Sequence, residues 1–388
     1  MRLRALVLCS LIATATITLA VAGPPVLVPA DGPPIRIDRP NHVAIGDVNE
    51  DGHPDLVVAT QTSAVTIVLG RGNGQFAPRP SGTISVPAPP DELALGDLDG
   101  DRHLDLALGN HDSYGVTLLI GDGRGGFRLA PSSPVVMKEG RQPHTHGLAI
   151  ADFNGDGKSD LVTVNSNDDN DVAVMLGDGT GRFTRAPDSP FAVGPAPYPL
   201  AVGDLDADGA VDMVVTATGI GASAGVSAPN NLLTVLLGDG HGRFRRRDVT
   251  LRTNSTWFVA IADVNGDGHL DLAATHGNSR LMSVVLGDGR GGFTEVRGSP
   301  FDLGHLAFCI GLADLNRDGH PDALAAADEG VRVMLGDGRG GFAAAPGSPF
   351  ATGKGSWRLA VADVSSDGKP DVATSNLESD SVTVLLGR

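Results

Sequence analysis

The sequence predicts an all-β fold: a seven-bladed β-propeller with four-stranded blades, calcium-type loops between strands one and two, and a ring closed by the N-terminal strand. Three observations carry this. An oxygen-rich nonapeptide, Asp-x-Asx-x-Asp-Gly-x-x-Asp, recurs seven times at intervals of 49 to 59 residues. Before each copy runs a short segment in which bulky and very small residues tend to alternate, and after all but the last comes an apolar strand ending in a glycine-rich hairpin. A period near 50 sustained along a chain marks a repeat architecture.

The nonapeptide explains itself chemically. Hard divalent cations take about six to eight oxygens at about 2.3–2.6 Å from a short loop that folds over the ion. The side chains at positions one, three, five and nine supply them here, and a glycine at position six permits the required twist. From the amino end the ligand sets are Asp47, Asn49, Asp51 and Asp55; Asp97, Asp99, Asp101 and Asp105; Asp152, Asn154, Asp156 and Asp160; and Asp204, Asp206, Asp208 and Asp212. The last three are Asp263, Asn265, Asp267 and Asp271; Asp314, Asn316, Asp318 and Asp322; and Asp363, Ser365, Asp367 and Asp371. Position seven would offer its carbonyl, so His53, His103, His269 and His320 are read as exposed bystanders rather than ligands. An EF-hand would need a glutamate at position twelve and a helix after it. Position twelve is instead Val58, Leu108, Thr163, Val215, Ala274, Ala325 and Thr374, and β-type runs follow. The loop joins two strands.

The strand before each loop is well shown by Leu148-Ala149-Ile150-Ala151 and Val259-Ala260-Ile261-Ala262. Period two makes one face bulky and the other nearly bare, as the crowded inner strand of a radial arrangement requires. The hairpins, for example Gly121-Asp122-Gly123-Arg124-Gly125-Gly126-Phe127, connect strand to strand. No helix amino terminus follows to receive a phosphate, which argues against a nucleotide loop. The seventh repeat stops at Val382-Thr383-Val384-Leu385-Leu386-Gly387-Arg388, short of a hairpin and outer strand, whereas Pro34-Ile35-Arg36-Ile37-Asp38 is a surplus strand near the amino end. Together they predict that the N-terminal strand completes the last blade and hides its edge.

Residues 1–22 have a basic start, an apolar centre and the small-residue end Ala20-Val21-Ala22, the pattern of a secretory signal peptide cleaved after Ala22. The mature chain, 23–388, is then one propeller domain, secreted, extracellular or periplasmic, expected as a monomer without a membrane span. Cleavage removes Cys9 and leaves Cys309, so no internal disulfide forms. Half of the 46 acidic residues are ligand positions in the loops, so much of the formal charge of −17 is directed at metal. Basic patches of the kind that release counterions are missing, which excludes nucleic acid as the expected partner.

These loops and hairpins together resemble the FG-GAP/VCBS repeats of bacterial secreted proteins and of the integrin α-subunit head. The similarity extends over 33–388. It implies a seven-bladed propeller holding up to seven Ca²⁺ in blade loops on one face. Two loops depart from the pattern: Arg102 stands at the glycine position, at a cost of roughly 1–2 kcal/mol if its φ is positive, and Ser365 replaces an amide or carboxylate.

The opposite face is the candidate recognition surface. Six residues before the first aspartate of each loop lie Asn41, Asp91, His146, Tyr198, Trp257, Phe308 and Trp357. Both tryptophans and one of the two tyrosines fall in that register, although aromatics make up only 4% of the chain. Aromatic faces suit sugar rings or a partner's side chains; packing between blades would use the same residues. The loops after each second strand, such as Asn110-His111-Asp112 and the long 218–231, would supply variable contacts. The expected function is a recognition or adhesion module for extracellular protein or glycan, and fungal lectins of similar repeat type bind amino sugars. The alternative is a polysaccharide lyase or sugar dehydratase built on Arg141, His144, His146 and Tyr198. Its weakness is that no nucleophile–base pair survives once the metal ligands are set aside.

Overall fold

The segments of alternating large and small residues form the seven inner strands: Pro40–Gly46, Glu92–Gly96, Thr145–Ala151, Pro197–Gly203, Thr256–Ala262, Ala307–Ala313 and Ser356–Ala362. The computed structural model describes residues 26–388 except 142, 167–169, 219–229 and 278. The expected signal peptide and most of the 218–231 loop lie outside the described residues. Each inner strand turns through its nonapeptide into an antiparallel second strand, and the third and outer strands follow, so the chain forms seven antiparallel sheets. Among the described residues the regular structure is strand, apart from one 3₁₀ turn at Leu377–Ser379.

The second strands are the most deeply set. Every residue of Asp55–Thr60, Asp160–Asn165 and Asp271–His276 is buried, which is why they read as continuous Val, Leu, Ala and Thr runs rather than an alternation. The core lies between the blades. Seven apolar clusters occur, each built from two neighbouring sheets; Val57, Ala59 and Ile67 of blade one, for example, pack on Leu93, Leu106 and Leu108 of blade two. Blade seven meets blade one in the same way, through Ala373, Val382 and Val384 against Val43, Leu56 and Val58.

The fourth position of the seventh sheet is taken by two short N-terminal segments. Leu27–Pro29 pairs with Leu385–Gly387, and Ile35–Arg36 pairs with Ser381 and Val382. The strand read at 34–38 is therefore only its central pair, and the longer contact comes from residues upstream of it. Outer strands elsewhere are broken in the same manner. In blades two, three and five a second short segment follows the first after a Ser-Pro turn. Ser133, Ser189 and Ser299 each accept, through the side-chain oxygen, the third-strand N–H that the interruption exposes, from Leu118, Val174 and Val284 at 2.9–3.1 Å. Ser348 does the same for Val333 in blade six.

Candidate metal loops and channel mouth

Each nonapeptide is wound by its own side chains. In the first loop Asp47 accepts the N–H groups of Asp51 and Gly52, Asn49 accepts that of Asp51, and Asp51 accepts that of His53. The third and fifth loops repeat the set. These Asx-type bonds point oxygens from positions one, three and five toward the inside of the turn. The sixth residue adopts the left-handed region, with φ of 85° at Gly52 and 79° at Gly157. Arg102 takes φ 73° and donates its N–H to Asp97 as the glycines do to their first aspartates, so the substitution keeps the loop and bears the strain.

Position nine plays a second part that its spacing did not reveal. Asp55 has no exposed surface; one oxygen accepts the N–H of Val48 and the other that of Gly70, which opens the hairpin. The same bonds are made by Asp105, Asp160, Asp212, Asp271, Asp322 and Asp371. The glycine is required by close approach: a Cβ on Gly70 would stand 2.1 Å from the Pro54 carbonyl oxygen. Burial pushes these carboxyls up to about 6 in the first six loops, against the backbone hydrogen bonds, which pull them down.

The residues present fit a hard cation. Carboxylate oxygens of Asp97, Asp99 and Asp101, and of Asp204, Asp206 and Asp212, come within 4.8 Å of one another. Oδ1 of Asp206 is buried with no hydrogen-bond partner among the described residues, and such an atom is costly unless an ion or water meets it. Burial, then like charges in the same loop, raise the carboxyls of Asp99 and Asp206. Ser365 donates its hydroxyl to Oδ1 of Asp363 at 3.4 Å, where the other loops carry an amide or carboxylate. The seventh-position histidines are not exposed: His53, His103, His269 and His320 are half-buried, each ring lying over a hairpin glycine, Gly72, Gly123, Gly289 and Gly338. Close packing against that backbone, rather than solvation, accounts for them.

The loops also tie neighbouring blades together. The carbonyl of the second loop residue accepts an N–H from the next blade's hairpin: Gly125 to Val48, Gly181 to Leu98, Gly242 to Phe153, Gly340 to Val264 and, across the closing seam, Gly74 to Val364.

At the other end of the inner strands the aromatic register converges. The inner strand of each blade except blade two has a register irregularity at this point, for example between Pro197 and Leu200, Thr256 and Val259, and Ser356 and Arg358. An unpaired residue in a bulge can be re-aimed, and Tyr198, Trp257, Phe308 and Trp357 are left unpaired in this way, whereas His146 keeps Val164 as its partner. His146 meets Tyr198 at 4.1 Å, Tyr198 stacks on Trp257 at 6.0 Å, and Trp257 contacts Phe308 and Trp357 at 5.7 and 6.1 Å. Phe308 stacks on Trp357 at 5.0 Å, and Asn41 donates to Asp91 at 3.1 Å on the polar side. Tyr198, Trp257, Phe308 and Trp357 are half-buried, whereas His146 is only 8% exposed. Of the residues considered for lyase chemistry, His144, His146 and Tyr198 meet here, and Arg141 is exposed.

Beneath this belt lies a charged pair that the sequence reading missed. Arg358 of blade seven hydrogen-bonds Glu92 of blade two, and its guanidinium lies 4.4 Å from the ring centre of Phe258 in blade five. A side chain that touches blades two and five from blade seven occupies the centre of the ring. Burial pushes the Glu92 carboxyl above its ordinary range, and the Arg358 guanidinium opposes that shift. The available signal was a charge inside an otherwise apolar strand start, Glu92-Leu93-Ala94 and Arg358-Leu359-Ala360.

Comparison with known proteins agrees with this architecture. The chain is 25% identical to the T-cell immunomodulatory protein of Rattus norvegicus over 315 residues, and 24% identical to that of Mus musculus over 314 residues. Each alignment takes in 73% of this chain and 49% of the relative, so the chain spans about half the length of the curated relatives it matches. Among solved structures it is similar to BBS1N, crystallised in complex with ARL6DN, with a TM-score of 0.62 at 12% identity over 94% of this chain and 98% of that one. It is also similar to an Agrocybe aegerita lectin solved for its recognition of non-reducing terminal N-acetylglucosamine, with a TM-score of 0.57 at 19% identity over 88% and 87% of the two chains. Likeness at these identities shows the fold alone. The FG-GAP-like repeat matches residues 47–108, 97–163, 152–215, 263–325 and 314–374, each match running from one nonapeptide into the second strand of the next blade. By those repeats and the seven sheets they build, the chain belongs to the FG-GAP-like repeat family.

Proposed function

We propose that the protein is an exported, calcium-stabilised propeller that recognises an extracellular protein or glycan at its aromatic mouth. The observation that carries this reading is the half-buried belt of Tyr198, Trp257, Phe308 and Trp357, whose mutually packed rings leave part of their surface exposed on this face. Sugar rings and a partner's apolar side chains both suit such faces. The fold has a glycan-binding precedent in the fungal lectin. No helix of the described residues is long and apolar enough to cross a membrane.

Calcium, in this reading, acts on the scaffold. Positions one, three, five and nine would hold it with the position-seven carbonyl, and the hydrogen bond from the next blade's hairpin falls between two of those ligands. An ion at a hundredfold excess over its dissociation constant adds about 2.7 kcal/mol per site. The decisive experiment is a glycan array and a pull-down from extracellular proteins, run with the parent, Trp257→Ala and Trp357→Ala proteins. Loss of a parent signal in both folded variants supports the mouth; full retention in both moves recognition elsewhere.

A further inference from the structure

We propose that His111, His144 and His146 form a binding site for a transition cation of the Zn²⁺ class, separate from the acidic loops. The sequence shows only His-x-His; the fold supplies the third imidazole from the preceding blade. His111 stands in the loop after the second strand Asp105–Gly109 of blade two, and His144 and His146 flank Thr145 at the start of blade three's inner strand. Two backbone bonds fix the juxtaposition: Thr145 N–H donates to the carbonyl of His111 at 3.0 Å, and Ser166 N–H to that of His144 at 2.9 Å.

The three rings lie with centroids 4.0, 4.5 and 5.0 Å apart and interplanar angles of 71–88°. One nitrogen from each comes within 4.8 Å of the others. Four-coordinate zinc holds imidazole nitrogens at about 2.0–2.1 Å, which places them about 3.4 Å from one another, so a contraction of at most about 1.4 Å closes the set. Among the described residues no hydrogen bond engages the ring nitrogens of His144 or His146. Nδ1 of His111 is 2.7 Å from Oδ1 of Asp112. A carboxylate on one ring nitrogen fixes the tautomer that frees the other for metal. Imidazole selects borderline cations, whereas the carboxylate loops select hard ones. Three protein ligands leave a fourth position for water or for a donor atom of a molecule in the mouth, beside Tyr198.

The test is a Co²⁺ titration of protein held in saturating Ca²⁺, so that the acidic loops are occupied. The parent should bind one equivalent with the visible absorption of four-coordinate Co²⁺, and Zn²⁺ should displace it. His111→Ala, on a half-exposed loop, and His144→Ala should each abolish that absorption while melting like the parent. Asp112→Ala should weaken affinity about 10- to 100-fold. An absent signal in the parent, or one that survives in both histidine variants, overturns the proposal. The test reads metal alone, so its result is separable from any ligand of the mouth.

Discussion

Arg358 is joined to Glu92 across the centre of the ring, and the two side chains are only 5% and 6% exposed. They come from blades seven and two, so the pair bridges over blade one. Nε of Arg358 has no hydrogen-bond partner among the described residues, which leaves the pair incompletely satisfied. Removing one member of a buried ion pair strands the other charge and costs about 3–5 kcal/mol, whereas replacing both with apolar groups is often neutral. Urea denaturation should therefore show Arg358→Met and Glu92→Leu each strongly destabilised, and the double variant more stable than the sum of the two losses. Additive losses would mean that the two side chains act independently.

Calcium withdrawal should lower the melting temperature, and the effect should depend on pH with a definite sign. In the metal-free protein the ninth-position carboxyls sit at about 6, held up by burial, against about 3.9 in an unfolded chain. A carboxyl raised on folding costs stability at neutral pH, and that cost is relieved as pH falls through 6. Bound calcium needs the ionised form, so protons compete with it in the same window. The melting difference between calcium-loaded and chelated protein should shrink from pH 7 to pH 5. Buried His276, pushed down to about 4, destabilises both arms alike as pH falls and cancels in the difference. A difference that is constant or grows on acidification would contradict the assignment.

Asp160→Ala should be among the most damaging single changes, with or without calcium. It strands the N–H groups of Phe153 and Gly177, both bonded to this carboxylate in the interior. At about 1–3 kcal/mol for each buried donor left unmade, the loss should reach about 2–6 kcal/mol in chelator. A ligand-only aspartate, by contrast, would show its loss only with calcium present.

Arg102→Gly should stabilise. The position holds φ 73°, which a side chain tolerates at about 1–2 kcal/mol. Part of that gain returns to the unfolded chain through glycine's freedom, so about 0.5–1 kcal/mol is expected. Thermal melting in chelator isolates the backbone term, and a destabilised variant would mean that the arginine side chain makes a compensating contact.

The fold was legible because each repeat states it twice, once in the alternating inner strand and once in the ligand spacing. Period-two patterning needs only local chain geometry, and the strand paths followed. Side-chain destinations across the ring were not legible. Nothing local says that Arg358 reaches Glu92, because the two meet across the middle of the closed ring, or that His111 meets His144 and His146, because that contact depends on how one blade's loop packs against the next blade's inner strand. Nor did the spacing show that Asp55 and its counterparts bond the hairpin, since a ligand and a backbone acceptor require the same carboxylate. The Ser-Pro turns at Ser133, Ser189, Ser299 and Ser348 were in plain sight, but a hydroxyl standing in for a ladder acceptor is invisible until the third strand lies beside it.

The five hairpin bonds to a second loop residue all run in one rotational sense, from blades one, two, three, four and six backward to the preceding blade. Overlapped this way, like shingles, the blades joined by these bonds are each held at the seam by a neighbour's backbone. The link from Gly74 to Val364 makes the junction of early and late chain one more overlap of the same kind. A buckle made of the ordinary stitch can give way no sooner than the fabric, so loosening any one loop should slacken its own seam before it opens the circle.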